Sequence, residues 1–423
     1  MELLLVLLII IAAARLGGGI MERYRLPGLL GELLVGVVFG LALLLVPWEG
    51  LHILDITEDR FFKGLLDVAI FFLMFMAGLD VDLRDLMRAT RIGVPVAIGG
   101  VITPLALGAL IGLSFIPESE FKLTQTLFLG TALAITAIPV SVRALMDLGL
   151  LRSRVGSTII NAAVADDVIG IILLGFLTTL MSAGTTLSAI DILLTIGRLA
   201  LFLGASLLIA VYIIPFIDYR LPRTRAAEMH FSVIISFGLA MAVLAEVLGM
   251  HFIIGAFVGG LMASERALHS RSQLRDVEGK VRGLTLGFLA PIFFVSIGLH
   301  IDLSAFGAAL WFTLALLGAA IVSKVLGCAV PARLSGVPWR ESIAIGVGMN
   351  GRGAVELVVA TVALEAGLFS HPQPIPPVVS AMFSAVVIVA LVTTILTPIG
   401  LRFLLHPGTE PTRSRRTIKA GGP

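Results

Sequence analysis

Phe75-Met-Ala-Gly78-Leu-Asp80-Val-Asp82-Leu83 reads closely like Val295-Ser-Ile-Gly298-Leu-His300-Ile-Asp302-Leu303, 220 residues further along the chain. A second echo lies upstream of each: Leu33-Leu-Val-Gly36-Val-Val-Phe-Gly40 resembles Phe252-Ile-Ile-Gly255-Ala-Phe-Val-Gly259, at an offset of 219. Two echoes at nearly one offset mark an internal repeat. Both sit in apolar runs of the length that crosses a bilayer, about 20 residues of helix for ~30 Å of hydrocarbon.

Such runs recur along the whole chain. Of its 423 residues, 58% are hydrophobic and only 14% are charged, against roughly 25% charged in a soluble domain. Lipid must therefore face most of the surface. Charged residues, Gly and Pro divide the runs into thirteen expected spans: 2–22, 27–46, 63–79, 91–115, 123–147, 153–182, 188–217, 228–249, 251–265, 282–300, 304–332, 340–369 and 376–405. The first run, Glu2 to Ala14, has no basic segment before it and no small-residue cleavage site, so a retained helix is expected. The single cysteine, Cys328, excludes a disulfide within one chain.

The cations test this division independently. Odd-numbered loops and the C-terminal tail hold 23 Lys and Arg residues, whereas even-numbered loops hold only Arg60, Lys63 and Lys122. The positive-inside rule then places the N-terminus outside and the C-terminus in the cytoplasm, in an inner (plasma) membrane. The tail 407–423, rich in Pro, Gly, Arg and Thr, is expected to be disordered.

The repeat offset contains seven spans. An odd number makes equivalent helices run in opposite directions, so the expected fold is an all-α polytopic membrane protein of thirteen helices. It comprises two inverted six-helix units, spans 1–6 and 8–13, joined by a linking helix over 183–227. Inverted repeats mark alternating-access transporters, whose sites lie where broken helices meet near the midplane. The fifth element of each unit carries the break. One is Gly130 to Pro139, where Pro139 removes a backbone donor; the other is Gly346-Val-Gly-Met-Asn350-Gly351-Arg352-Gly353.

An ionisable group deep in a span costs at least ~2.5–3.5 kcal/mol on insertion scales and needs a reason. Asn161-Ala-Ala-Val-Ala-Asp166-Asp167-Val-Ile-Gly170 puts two acids in the middle of span 6. Neighbours on a helix stand about 100° apart, so one can face an ion path while the other addresses an adjacent helix. Lys324, the only lysine inside any span, is the natural counter-charge. A dehydrated Na⁺ takes hard oxygen ligands, and protons compete for the same carboxylates. That competition suffices for exchange when only loaded states cross. Arg352 and Glu356, one turn apart, read as structural neutralisation at the second break. No zinc-protease, Walker or Rossmann pattern and no Ser–His–Asp set occurs. Hydrolysis-driven transport and membrane proteolysis are therefore unsupported, and no cofactor or nucleic-acid partner is expected.

These residues resemble the monovalent cation:proton antiporter-2 family. The resemblance rests on Ala165-Asp166-Asp167-Val-Ile-Gly170, Gly130 to Leu145 with Thr136 and Val-x-Val-Arg143, and Phe293-Phe-Val-Ser-Ile-Gly298-Leu. Lys324 and Asn350-Gly351-Arg352-Gly353-Ala-Val-Glu356-Leu agree with it, over residues 1–406. The resemblance implies a homodimer in which a scaffold (about 1–80 and 228–300) flanks a core (about 91–182 and 304–405) that moves like an elevator. It makes Asp167 the principal ion and proton carboxylate. Asp166 would pair with Lys324, and Thr136 with nearby carbonyls of span 5 would complete the Na⁺ site. Two departures stand out: Ala137 replaces a hydroxyl common among relatives, and Glu356 sits three residues past Gly353. The potassium-efflux branch's nucleotide-sensing domain does not follow residue 406, so gating of that kind is not expected. K⁺/H⁺ exchange, a non-transporting sensor or scaffold, and an organic-anion symporter stay open as rival readings.

Overall fold

The computed structural model describes residues 2–45, 60–81, 91–148, 150–151, 153–183, 189–209, 212, 227–266, 271–302, 307 and 309–405. These form helices and no strand: α1 Glu2–Arg23, α2 Gly28–Leu45, α3 Arg60–Leu79, α4 Gly93–Phe115, α5 Lys122–Ala134, α6 Ile138–Asp147, α7 Arg154–Ala183 and α8 Ala189–Leu208. There follow α9 Ala227–Val247, α10 Phe252–Arg266, α11 Arg271–Leu284, a π turn Thr285–Leu289, α12 Ala290–Leu299, α13 Leu310–Leu334, α14 Trp339–Gly348, α15 Ala354–Glu365 and α16 Pro377–Leu404. Seven of these helices, counting α11–α12 as one, are individually long and apolar enough to cross a membrane. The tail 407–423 and most of the segment linking α8 to α9 lie outside the described residues.

Most expected spans meet a helix within a few residues. The tenth is longer than expected. It begins at Arg271, because the amphipathic helix α11 continues through the π turn into the apolar α12. Its inward face buries Val277 and Val281, and Arg282 reaches Asp80 at the end of α3 at 2.5 Å. Burial pushes the Asp80 carboxyl up from its ordinary range while Arg282 pulls it back.

Small residues reveal the symmetry. A β-carbon at Gly31 in α2 would run into the Gly17 carbonyl of α1; one at Gly255 in α10 would meet the Met241 carbonyl of α9 in the same way. Gly36 of α2 lies against Val295 of α12, and Gly260 of α10 lies against Phe75 of α3. Conversely Gly298 rests on Leu33 and Gly78 on Phe257. Contact for contact, α1–α2–α3 correspond to α9–α10–α12, and each unit packs its third helix on the other unit's second. The repeat is therefore structural, but the upstream echo needs correction. Gly36 corresponds to Gly260 and not to Gly255, about one helical turn further on, because apolar helices tolerate a one-turn slip in letters that close packing does not.

The fourth elements of the units meet each other. At the α4–α13 crossing Gly99 abuts the Gly327 carbonyl and Gly327 abuts the Gly99 carbonyl. Gly99 also faces Pro331 and Gly327 faces Thr103, so the two helices run in opposite directions. Inverted equivalents that touch across their shared axis must do this. A separate small core of Val96, Ala97, Leu145, Ile159, Ala162, Cys328, Ile345 and Leu401 packs α4, α6, α7, α13, α14 and α16 around that crossing.

Candidate functional site

Two breaks sit beside this crossing. Helix α5 ends at Ala134, where Ile135 turns extended, and α6 resumes at Ile138. Pro139 is accordingly not the breaking residue. It opens α6, within the first two helical positions, where a missing N–H would have had no intrahelical partner anyway. The gap is Ile135-Thr136-Ala137, with two β-branched residues of modest helix propensity. The second break runs from Met349 to Gly353, between α14 and α15. A β-carbon on Gly353 would come 2.6 Å from that of Ala137, so glycine lets the two gaps touch.

The gaps are laced together by backbone groups that a helix end leaves unpaired. Ala137 N–H donates to the Gly351 carbonyl at 2.8 Å. The Thr136 hydroxyl donates to the Met349 carbonyl at 3.1 Å, and the Ser141 hydroxyl donates to the Gly348 carbonyl. The carbonyl end of α14 is thus met by neutral donors.

Cations meet the carbonyl end of α5. Arg352 donates to the Ala132 carbonyl and, at 2.8 Å, to the Leu133 carbonyl; Lys324 Nζ donates to the Ala134 carbonyl. A helix C-terminus carries roughly half a negative charge, so positive groups belong there. Lys324 Nζ also donates to the Gly100 carbonyl at 2.8 Å and to both Asp166 oxygens at 3.1 and 3.2 Å. Both partners are 1% exposed. The Thr136 hydroxyl lies against the same carboxylate. Arg352 pairs with Glu356 at 3.0 Å, also wholly buried, while Thr394 of α16 accepts from the Arg352 N–H and donates to its carbonyl.

The structure therefore gathers Thr136, Asp166, Lys324, Asn350, Arg352 and Glu356 around two crossing breaks. Asp167 follows Asp166 on α7; its side chain, like those of Pro139 and Arg143, lies outside the described residues. Ser141, Thr394 and the Gly100 carbonyl also belong to the network, and the sequence did not single them out. A hydroxyl two residues past Pro139 was a usable signal for Ser141; Thr394 had none. Elsewhere, Arg15 and Glu32 pair at 3.4 Å, with Arg15 also donating to the Leu286 carbonyl in the π turn.

Chemically, the centre holds two charge-paired carboxylates, Asp166 and Glu356, with hydroxyls and interrupted backbone in a buried setting. Unwound backbone at this depth is tolerated where it is buried in protein or lines a cavity. Among the described residues no group of His, Cys, Asp and Glu is arranged to hold a metal ion.

Known proteins share this architecture. The family model described as sodium/hydrogen exchanger, transmembrane, matches residues 6–406. The Na⁺/H⁺-K⁺ antiporter GerN of Bacillus cereus is 33% identical over 395 residues, covering 93% of this chain and 94% of that protein. A Na⁺/H⁺ antiporter of Enterococcus hirae is 29% identical over 403 residues, covering 95% and 98%. The sodium proton antiporter MjNhaP1 of Methanocaldococcus jannaschii superposes with a TM-score of 0.73 at 16% identity, covering 96% of this chain and 98% of that one.

Proposed function

The chain belongs to the sodium/hydrogen exchanger family, and from that premise we propose that it exchanges Na⁺ or Li⁺ for H⁺, with the Asp166–Asp167 pair as the contested site. It is a multi-pass membrane transporter for cations and protons, not an enzyme. The observation that carries the finer reading is the fully buried Asp166–Lys324 pair at the crossing of two broken helices.

In this reading Asp167 holds either a proton or a dehydrated cation, and Thr136 contributes a hydroxyl. A cation arriving at Asp166 weakens its pairing with Lys324. The ammonium keeps its Gly100 and Ala134 carbonyls as partners when Asp166 turns away. Exchange then follows from competition, since an uncompensated carboxylate at this depth is too costly to carry across. The core, about 91–182 and 304–405, moves as an elevator against the scaffold of about 1–80 and 228–300. Thirteen crossings put the N-terminus outside and the C-terminus in the cytoplasm of the inner membrane, and two copies form a homodimer within the lipid. Arg352 and Glu356 neutralise the second break and hold its shape.

The test is direct. The reconstituted protein, in vesicles loaded at low internal pH, is expected to dequench a pH dye on addition of Na⁺ or Li⁺. Asp167→Asn is expected to lower the rate at least a hundredfold, as removal of an essential proton carrier does. Silence of the wild type with Na⁺, Li⁺ and K⁺ alike would sink the antiport reading; full activity of Asp167→Asn would sink the site. Reversal potentials decide whether two protons move per ion, as the double aspartate with lysine suggests. K⁺/H⁺ exchange is the second reading, favoured by the K⁺ in the name of the Bacillus cereus relative; a response to K⁺ exceeding that to Na⁺ would select it.

A further inference from the structure

The oxygens at the crossing can be sorted by whether a protein donor already occupies them. The last three carbonyls of α5, from Ala132, Leu133 and Ala134, are taken by Arg352 and Lys324. The Gly100 carbonyl is taken by Lys324 as well. Across the second break, the carbonyls of Gly348, Met349 and Gly351 are taken by Ser141, Thr136 and Ala137. Span 5 therefore has fewer carbonyls to offer a cation than the resemblance implies.

Two described side-chain oxygens at the crossing are buried with no hydrogen-bond partner: Asn350 Oδ1 and Glu356 Oε2. Buried acceptors are nearly always satisfied, and one that is not calls for an ion, a water or strain as its reason. Glu356 is a poor place for a cation, because its other oxygen is bound to the Arg352 guanidinium at 3.0 Å, whose charge repels one. Asn350 has no such drawback. It is 4% exposed and sits between Met349 and Gly351, the two residues tied to Thr136 and Ala137 of the other break. Its backbone position is therefore pinned beside the hydroxyl that touches Asp166. An amide oxygen is a hard, neutral donor of the kind alkali cations accept.

We propose that Asn350 Oδ1 is a ligand of the transported cation, supplied by the second broken helix, and that it helps set which cation is preferred. The proposal rests on the antiport reading. A neutral ligand adds coordination without adding a proton site, so its loss should act on cation affinity and leave proton handling alone.

Reconstituted wild type, Asn350→Ala, Asn350→Ser and Asn350→Asp are compared for Na⁺, Li⁺ and K⁺ by dye dequenching across cation concentration and pH. Asn350→Ala is expected to raise the Na⁺ KM about tenfold, the usual scale for a lost ligand or its support, with kcat within about twofold. The Li⁺ to Na⁺ ratio of KM values should change too. Asn350→Ser keeps a shorter oxygen and should fall between. Asn350→Asp adds a titratable ligand and should keep a low KM while moving the pH optimum upward. Unchanged KM values and an unchanged cation ratio in Asn350→Ala, whatever happens to kcat, would overturn the proposal and leave the amide a packing group. Should Asn350→Ala fail to fold, Asn350→Ser decides on the same two readouts. An inactive wild type would instead strike the antiport reading beneath it.

Discussion

Lys324 Nζ touches three elements besides its own: α4 through Gly100, α5 through Ala134 and α7 through Asp166. Its removal would leave a buried carboxylate and two carbonyls without their donor. Lys324→Ala is therefore expected to destabilise by about 3–5 kcal/mol, the range for breaking a buried ion pair from one side. Asp166→Asn with Lys324→Met removes both charges and should recover part of that loss. Thermal unfolding in detergent measures the cycle, and strict additivity of the two single changes would show that the pair is not coupled. The charged members of this network were readable in the sequence, because a Lys or Asp within an apolar run demands a partner. Of the hydroxyls, Thr136 came only with the family resemblance, and Ser141 and Thr394 were not singled out. Serine and threonine are common in such runs and often bond their own preceding turn, as Thr361 and Thr393 do here, so Thr394 carried no mark of its link to Arg352.

Helix crossings obey a stricter rule than helix formation. Gly99 and Gly327 let α4 and α13 approach closely, with each carbonyl where the other's β-carbon would stand. Gly327→Ala should therefore cost at least about 1–3 kcal/mol, the price of overpacking a tight site. Gly64→Ala, on α3 with nothing within 4 Å, should be neutral or gain up to about 1 kcal/mol from helix propensity. Equal effects of the two changes would mean that the crossing is looser than described. This is also the scale at which the sequence was both informative and misleading. Gly78 and Gly298 announced the repeat at the correct register, since their neighbours Leu, Asp or His, and Asp repeat with them. Gly36 was matched one turn away from its true counterpart, because Val, Ile, Phe and Leu are interchangeable in lipid and only the partner helix distinguishes them. Pro139 misled for a related reason: proline disrupts a helix interior but suits a helix start.

For the molecule as a whole, cation placement separates the two faces. On the proposed topology, which puts the 23 Lys and Arg of the odd-numbered loops and tail in the cytoplasm and three outside, a fluorescent protein fused after Pro423 is expected to fold and fluoresce, and alkaline phosphatase at the same point is expected to be inactive. The opposite pair of results would invert the topology. The all-helical, inverted-repeat architecture was legible because it depends on hydrophobic length and on charge between spans, quantities that composition conserves. That two broken helices meet was legible as well; which residues bring them together was not, since no spacing rule predicts the Gly353–Ala137 approach.

Cys328 lies wholly buried against Gly100 at the α4–α13 crossing, and it is the sole sulfhydryl in the chain. Buried in this way, it is expected to react slowly with maleimide and nitroxide reagents, which makes the native polypeptide a usable background for spectroscopic labels. A spin label on exposed Leu16 of α1 paired with one on exposed Leu396 of α16 would test the proposed movement of core against scaffold: a pulsed-resonance distance distribution that shifts on addition of Na⁺ is expected, and one that stays fixed would count against it.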